Sequence, residues 1–536
     1  MSMRAKSKNK LSFKYTFSNS KKHPYDEVNW DEYGLAKGLK LRKLINQVVQ
    51  KYSETGWALD YFNTLNDKKV FEHELIWLLI NQVVIPENRV LFTVGKETRQ
   101  RVSSNTIIGV ENSTSSKLDC VENVIRILES DNNVGVNLSK ISSSKENHST
   151  VGVVEFLKMI NKITSNFSNK KSFTLDIDHP DIIDFIKSSY DFIDGSTYFC
   201  VRVSDDFMKA VKQDSDFILR SRKTGKSIET KKAKSLFNEI ILATANSNNF
   251  CLQFDNTINT WQTLPTHGKI LASNPSGDFL TNDFLECPRV ILNLEYFLDG
   301  QKFDFEKYKS AIEITLTMLD ISINFADFST TYIDNQTKKN RPIGIGFTNF
   351  EDVLKHFKIS LNSKAAQVIG SAIANFTTAA TYHHSSQLAN VINISNSQRN
   401  NLLNQISIAE KYYKNSLELT DKVVDEMKPS FNINEILFAS NLEWDRAISL
   451  GKKSGFRNCQ MTLLPLPDDF IFEKEKNRKK IAPIDQIKLF SSIQSFITGG
   501  IGLPIITKEK SNLELIEKLY FSAWKNGLKS IFIKSQ

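Results

Sequence analysis

From residue 90 onward the chain alternates short β-branched and aromatic runs with longer stretches of helical periodicity. This alternation constrains the fold more than any other feature. Val90–Val94 (VLFTV) reads as a buried strand closed by Gly95. Thr106–Val110, Val134–Leu138, 173–177 (FTLDI) and 198–203 (YFCVRV) read as further strands. Residues 120–128, 151–164 and 181–188 between them read as helices, and longer helices are predicted over 305–324, 364–392 and 402–428. At the C-terminal end, Ser511 and Glu514 are spaced as a capping box, and Leu513, Ile516, Leu519, Tyr520 and Ala523 form one apolar stripe. Gly527 closes that helix and 529–534 (KSIFIK) is a last strand. Repeated strand-then-helix units predict helices outside a mostly parallel sheet. Residues 26–85 read as mostly helical up to Pro86, and 142–149 and 473–480 as loops.

With 536 residues, 40% hydrophobic and 24% charged, the chain is ordinary for a globular protein with a sizeable core. A disordered protein, a collagen-like rod and a disulfide-stapled miniprotein are excluded. No run of about 18 apolar residues suggests a membrane span. No apolar segment near the N-terminus reads as a secretory signal. The excess of basic over acidic residues, 69 against 60, is concentrated: Arg4, Lys6, Lys8, Lys10, Lys14, Lys21 and Lys22 fall within the first 22 residues, which contain no acid. Residues 1–25 are therefore expected to be a flexible basic tail, and its charges are the candidate contacts for nucleic acid or another acidic partner. The five cysteines, Cys120, Cys200, Cys251, Cys287 and Cys459, are scattered and form no CxxC pair. That pattern predicts a reducing, intracellular (cytoplasmic) compartment and no zinc site. His383 and His384 diverge by about 100° on a helix and are expected to be ordinary helix residues.

Five segments carry a resemblance. Residues 84–100 (VIPENRVLFTVGKETRQ), 178–186 (DHPDIIDFI) with 201–208 (VRVSDDFM), 274–278 (NPSGD), 340–354 (NRPIGIGFTNFEDVL) and 501–533 occur in the order of landmarks in the catalytic subunit of ribonucleotide reductase. The likeness is greatest to the adenosylcobalamin-dependent, monomeric triphosphate reductases. The resemblance implies a ten-stranded α/β barrel of ribonucleotide reductase type over 90–536, with a mostly helical N-terminal region over 26–89 and a finger loop near 274–278.

The resemblance also implies a chemistry that several residues of this chain do not match. In the family a cysteine thiyl radical at the fingertip abstracts the ribose 3′-hydrogen; here that position is Ser276, whose O–H bond is far stronger than a thiol S–H bond. Asn274 matches the family's substrate-holding Asn, and Asp278 stands where the family has a Glu general base, one methylene longer. Of the family's redox cysteine pair, Cys287 matches one member, and the partner position reads as Thr106. The C-terminal cysteine pair expected of the family does not precede Gln536. The phosphate-binding Pro-Thr-Gly-Thr loop is replaced by MTLLPLPDD, with Asp468 and Asp469. The expectation is a catalytically inactive relative, without a cofactor, retained as a binding or structural component of an assembly with other proteins and, through its basic tail, nucleic acid. Two alternatives stay open: an active reductase using adenosylcobalamin, and a regulatory nucleotide binder.

Overall fold

The computed structural model describes residues 11–26, 35–146, 151–192, 195–392, 396–423, 431–466, 470 and 481–535. Five parallel strands form one half of its wall of strands: β1 (Asn105–Gly109), β2 (Asn133–Asn137), β3 (Lys171–Asp176), β4 (Thr197–Val203) and β5 (Phe250–Phe254). The other half is built from β6 (Arg289–Asn293), β7 (Gly344–Thr348), the segment 461–464, β8 (Ile505–Thr507) and β9 (Ser530–Ser535). β6 lies parallel to β7 and β8 parallel to β9, and β9 runs antiparallel to β5. Single parallel bridges, Ile345 to Thr462 and Leu464 to Ile501, join the remaining neighbours. Residues 285–286, which lead into β6, pair antiparallel with β1. An eight-stranded sheet runs from 285–286 through β1–β5 and β9 to β8, and a separate three-stranded sheet holds 84–86, β6 and β7, with the single bridges through 461–464 lying between the two.

Strand alternation sorts the wall into two faces. Val134 and Val136, Phe173 and Leu175, Phe199 and Val201, Leu252, Ile531 and Ile533 turn outward into one apolar core with the surrounding helices. Val290, Leu292 and Ile345 do the same in a second core, shared with helices Phe305–Phe325, Lys364–Val391 and Ile433–Ser454. Several inward positions are small or polar, Gly135, Ser172, Cys200, Cys251, Gln253 and Ser530, beside the larger Ile107, Tyr198 and Phe532. The reason for the small and polar groups is a stretch of chain between the strands. The short strands Ala272–Ser273 and Leu280–Thr281 form a hairpin whose tip, 274–278, is held by the wall. Ser172 Oγ donates to the Ser273 carbonyl (2.9 Å), Ser530 Oγ to the Gly277 carbonyl (3.2 Å) and Gly500 N–H to the Asp278 carbonyl (2.7 Å).

Several expectations need correction. Residues 90–94 are not a strand. They belong to helix Asn88–Thr93 and its C-cap, where Val90 and Val94 are buried at i, i+4 while Phe92 is half exposed. Residues 84–86 form a short strand antiparallel to β6 rather than the end of a helix. Helix Leu513–Lys525 is capped by Asn512, whose side chain accepts from Leu515 N–H (3.0 Å), not by Ser511, and Leu513 is exposed. The flexible-tail reading fails for residues 11–26. Their backbone N–H groups at Thr16, Phe17 and Ser18 bond the buried Glu74 carboxylate at 2.9–3.0 Å, and Phe17 stacks on Trp77. Lys14, Lys21 and Lys22 are exposed on this packed segment; Arg4, Lys6, Lys8 and Lys10 lie outside the described residues. So do 473–480 and part of the 142–149 loop. Among the described residues no helix is long and apolar enough to cross a membrane.

The tightest approach of loop to wall is at Gly135, where an added Cβ would lie 2.1 Å from the Ser273 carbonyl oxygen. Gly135→Ala is expected to destabilise the fold by about 1–3 kcal/mol through overpacking against backbone, read as a lower thermal midpoint. An unchanged midpoint would show that the loop is not seated as described.

Candidate functional site

The tip of the internal loop, Asn274-Pro275-Ser276-Gly277-Asp278, is shaped by its own side chains. Asn274 Oδ1 accepts the N–H groups of Gly277 (3.1 Å) and Phe279 (3.0 Å), which closes the turn. Gly277 has φ +79°, and a Cβ there would press on Phe532 at 2.9 Å, so glycine is required on both counts. The Asn274 amide nitrogen lies within 3.0 Å of Asn105 Oδ1, Ser276 Oγ and Asp278 Oδ1. Ser276 donates its hydroxyl to Asp278 Oδ1 through a short hydrogen bond.

Asp278 is in turn held by a guanidinium. Arg289 Nη1 donates to Asp278 Oδ2 (2.6 Å), its Nε to Glu87 Oε1 (2.6 Å) and its Nη2 to Ser104 Oγ (2.9 Å). The side chains of Arg289, Asp278 and Glu87 are 0%, 0% and 1% exposed. Both oxygens of Asp278 are therefore engaged, one by a hydroxyl and an amide and the other by a buried cation. Next to Ser276 the free space is about 20 Å³, lined by Lys170, Tyr198, Leu466, Pro504, Phe532 and Lys534 among others. One water needs about 10–15 Å³ and a small-molecule site about 300–1,000 Å³.

The structure brings Ser276, Asn274 and Asp278 together and puts Cys287 in the barrel interior, packed with Ile107, Leu285 and Leu463. Burial pushes the Cys287 thiol well above its ordinary range. Thr106 does not join them. Strand alternation turns it outward, where its hydroxyl is 3.4 Å from the Asn132 amide, itself bonded to Glu286. The residue of β1 that meets the loop is Asn105, one position earlier. Cys200 and Cys251 are register partners on β4 and β5 and cluster with Tyr198 and Phe532, a pairing that their separation in sequence conceals. Burial raises the Cys251 thiol well above its usual value. His383 and His384 are buried on their helix: His383 Nδ1 faces Glu443 (2.6 Å), and His384, lowered to about 4 by burial, faces Thr317 (2.8 Å). Asp468 and Asp469 lie outside the described residues. Among the described residues no group of His, Cys, Asp or Glu could hold a metal ion. Sequence reading missed Arg289, Glu87 and Asn105, because only the folded register brings them to the loop.

A family model described as the barrel domain of ribonucleotide reductase matches residues 103–466. A vitamin B12-dependent ribonucleotide reductase of Streptomyces clavuligerus is 28% identical over 92% of this chain and 62% of its own length. One of Rhodopirellula baltica is 25% identical over 82% of this chain and 47% of its own. A vitamin B12-dependent ribonucleoside-diphosphate reductase of Thermoplasma acidophilum is 26% identical over 57% and 41%. The chain thus spans at most about 62% of the length of these relatives, and the reading of the site rests on the barrel interior rather than on where the chain ends.

Arg289 is the group on which the site's charge balance turns. Arg289→Met leaves two buried carboxylates without their cation and is expected to cost about 3–5 kcal/mol, read by chemical denaturation. The paired variant Arg289→Met with Asp278→Asn should recover part of that loss. Equal stabilities for wild type and Arg289→Met would rule out the network as drawn.

Proposed function

We propose a function from the premise that this chain belongs to the ribonucleotide reductase family, whose barrel domain it carries: it is a non-catalytic member, retained as a binding or structural component of an assembly. One observation carries this reading. The fingertip presents a serine, not a thiol, and that serine's hydroxyl is committed to a carboxylate locked by a buried arginine. A hydroxyl in this setting cannot take the role of a hydrogen-abstracting thiyl, because the O–H bond is too strong. The carboxylate that would accept the 3′-OH proton has no free oxygen. Opposite Cys287 the loop-facing position is Asn105, so no dithiol forms across the barrel at that place. The space of about 20 Å³ beside Ser276 supports the same conclusion. Adenosylcobalamin, the cofactor named with the relatives as vitamin B12, would supply a radical to a cysteine. The residues at the fingertip do not fit that chemistry, and no reaction step is assigned through it. Partners are proposed to be other proteins, with nucleic acid reached through basic segments. Five buried cysteines without disulfides support a reducing, intracellular setting.

The test is direct. Full-length protein with adenosylcobalamin, a ribonucleoside di- or triphosphate and a dithiol is expected to yield no deoxynucleotide. Ser276→Cys alone is expected to yield none either, since the locked carboxylate and the missing partner thiol remain. Deoxynucleotide formation by the wild-type protein would establish the active-reductase alternative instead.

A second reading, a regulatory nucleotide binder, has its own observation. A cavity of about 310 Å³ is lined by Asn88, Arg89, Thr93, Arg101 and Ser104, with Asp131 on its rim of polar groups. Burial first, and then the neighbouring Arg89, lower Arg101 from its ordinary value. Calorimetry with nucleoside di- and triphosphates decides it: saturable heat that is lost in Arg101→Gln favours this reading, and no heat removes it.

A further inference from the structure

The hairpin Asp216–Arg220/Ser227–Lys232 lies in the chain between helices Asp205–Lys212 and Ala233–Asn246, and its two strands pair only with each other. One face is anchored. Leu219 is fully buried, Phe217 meets Phe207 edge to face at 5.0 Å, and the Arg220 N–H donates to the Asp178 carbonyl (2.8 Å). The other face, with Ile218, Arg220, Ile228, Thr230 and Lys232, is exposed.

Charge on this element is one-sided. Residues 216–232 contain six basic side chains, Arg220, Arg222, Lys223, Lys226, Lys231 and Lys232, against the acids Asp216 and Glu229, and Lys234 follows on the next helix. Three nearby acids are paired, Glu229 with Lys231, Asp216 with Lys232 and Asp178 with Arg222, while Asp214 adds a further negative charge near Lys232. Among the described residues Arg220, Lys223, Lys226 and Lys234 are exposed and have no carboxylate partner. Lysines on a ribbon edge also discourage edge-to-edge pairing, but one or two suffice for that. Here they crowd a turn that is itself ordered. Ser221 Oγ accepts the N–H groups of Lys223 (3.2 Å) and Thr224 (3.1 Å), and Gly225 at φ +69° completes the bend. Order in the turn keeps Lys223 and Lys226 displayed at low entropic cost.

We infer that this basic hairpin is a docking surface for nucleic acid, engaged through its phosphates. A two-stranded ribbon has the width of a duplex major groove, and cations without a carboxylate partner attract phosphates. Exposed Ile218 and Ile228 add apolar contact for sugars or base edges beside the cations. The inference goes beyond the loss of catalysis and does not depend on it, because the hairpin's charges would act in the same way on an active barrel. It also moves the expected contact from the N-terminal segment to the barrel.

The experiment measures binding of a fluorescein-labelled DNA duplex, and of single-stranded DNA and RNA, to the full chain by anisotropy across a salt series. The variant Arg220→Gln/Lys223→Gln/Lys226→Gln/Lys234→Gln is expected to bind at least about tenfold more weakly. Its log–log salt slope is expected to fall by roughly 3–4, about 0.9 for each phosphate that is no longer neutralised. A charge-preserving variant, Arg220→Lys/Lys223→Arg/Lys226→Arg/Lys234→Arg, is expected to bind like wild type. Equal thermal midpoints for all three confirm that folding is not what changed. The inference is overturned if the glutamine variant binds with wild-type affinity and slope, or if removing residues 1–10 abolishes binding while the hairpin variant retains it. It is overturned equally if the protein binds phosphatidylserine vesicles or polyglutamate through the hairpin and nucleic acid not at all.

Discussion

Arg289 holds the molecule's centre together. Its guanidinium joins three segments that are distant in sequence: the approach to the barrel at Glu87, the entry of the first strand at Ser104 and the internal loop at Asp278. All of this happens out of water, where taking ions from solvent is costly and only near-ideal geometry compensates. One cation stands between two carboxylates, so the position of Asp278 is not negotiable. With Asp278 fixed, Ser276 has its hydroxyl partner and the loop has its height in the barrel.

The wall is adapted to that loop. Gly135, Ser172, Gln253 and Ser530 face inward: Ser172 and Ser530 donate to loop carbonyls, Gln253 donates to the Ser273 hydroxyl, and Gly135 leaves room for the Ser273 carbonyl. The large residues of the same strands, such as Phe173, Phe199 and Ile533, face outward into the helices. The scaffold therefore holds the loop 274–278 between the strands of its wall, and the side chains of Asn274, Ser276 and Asp278 bond one another.

Much of this was legible in the sequence. Strands at 105–109, 133–137, 171–176 and 197–203 follow from β-branched runs, and the position of the internal loop followed from NPSGD within the order of landmarks. What was not legible depends on register and on distant pairing. Thr106 was read at the place of Asn105, and a one-residue slip in a strand turns a side chain to the opposite face. The run VLFTV at 90–94 suits a strand by composition, yet Val90 and Val94 are buried at helical spacing after the Pro86-Glu87 turn. Cys200 and Cys251 become neighbours only when β4 pairs with β5. Arg289 carried no local signal at all, since its partners come from Glu87, Ser104 and Asp278. The basic character of the chain was traced to its first 22 residues, while the hairpin's charge stayed hidden in a nearly neutral remainder.

The proposed non-catalytic function requires that a fingertip tied by its own ion network seat no ribonucleotide. A crystal structure of the protein grown with a saturating ribonucleoside triphosphate decides whether that holds. The expected density has Arg289 between Glu87 and Asp278, the Ser276 hydroxyl on Asp278 and no nucleotide over the fingertip. A ribose seated over Ser276, with Arg289 withdrawn from Asp278, would refute the closed fingertip and the non-catalytic reading with it.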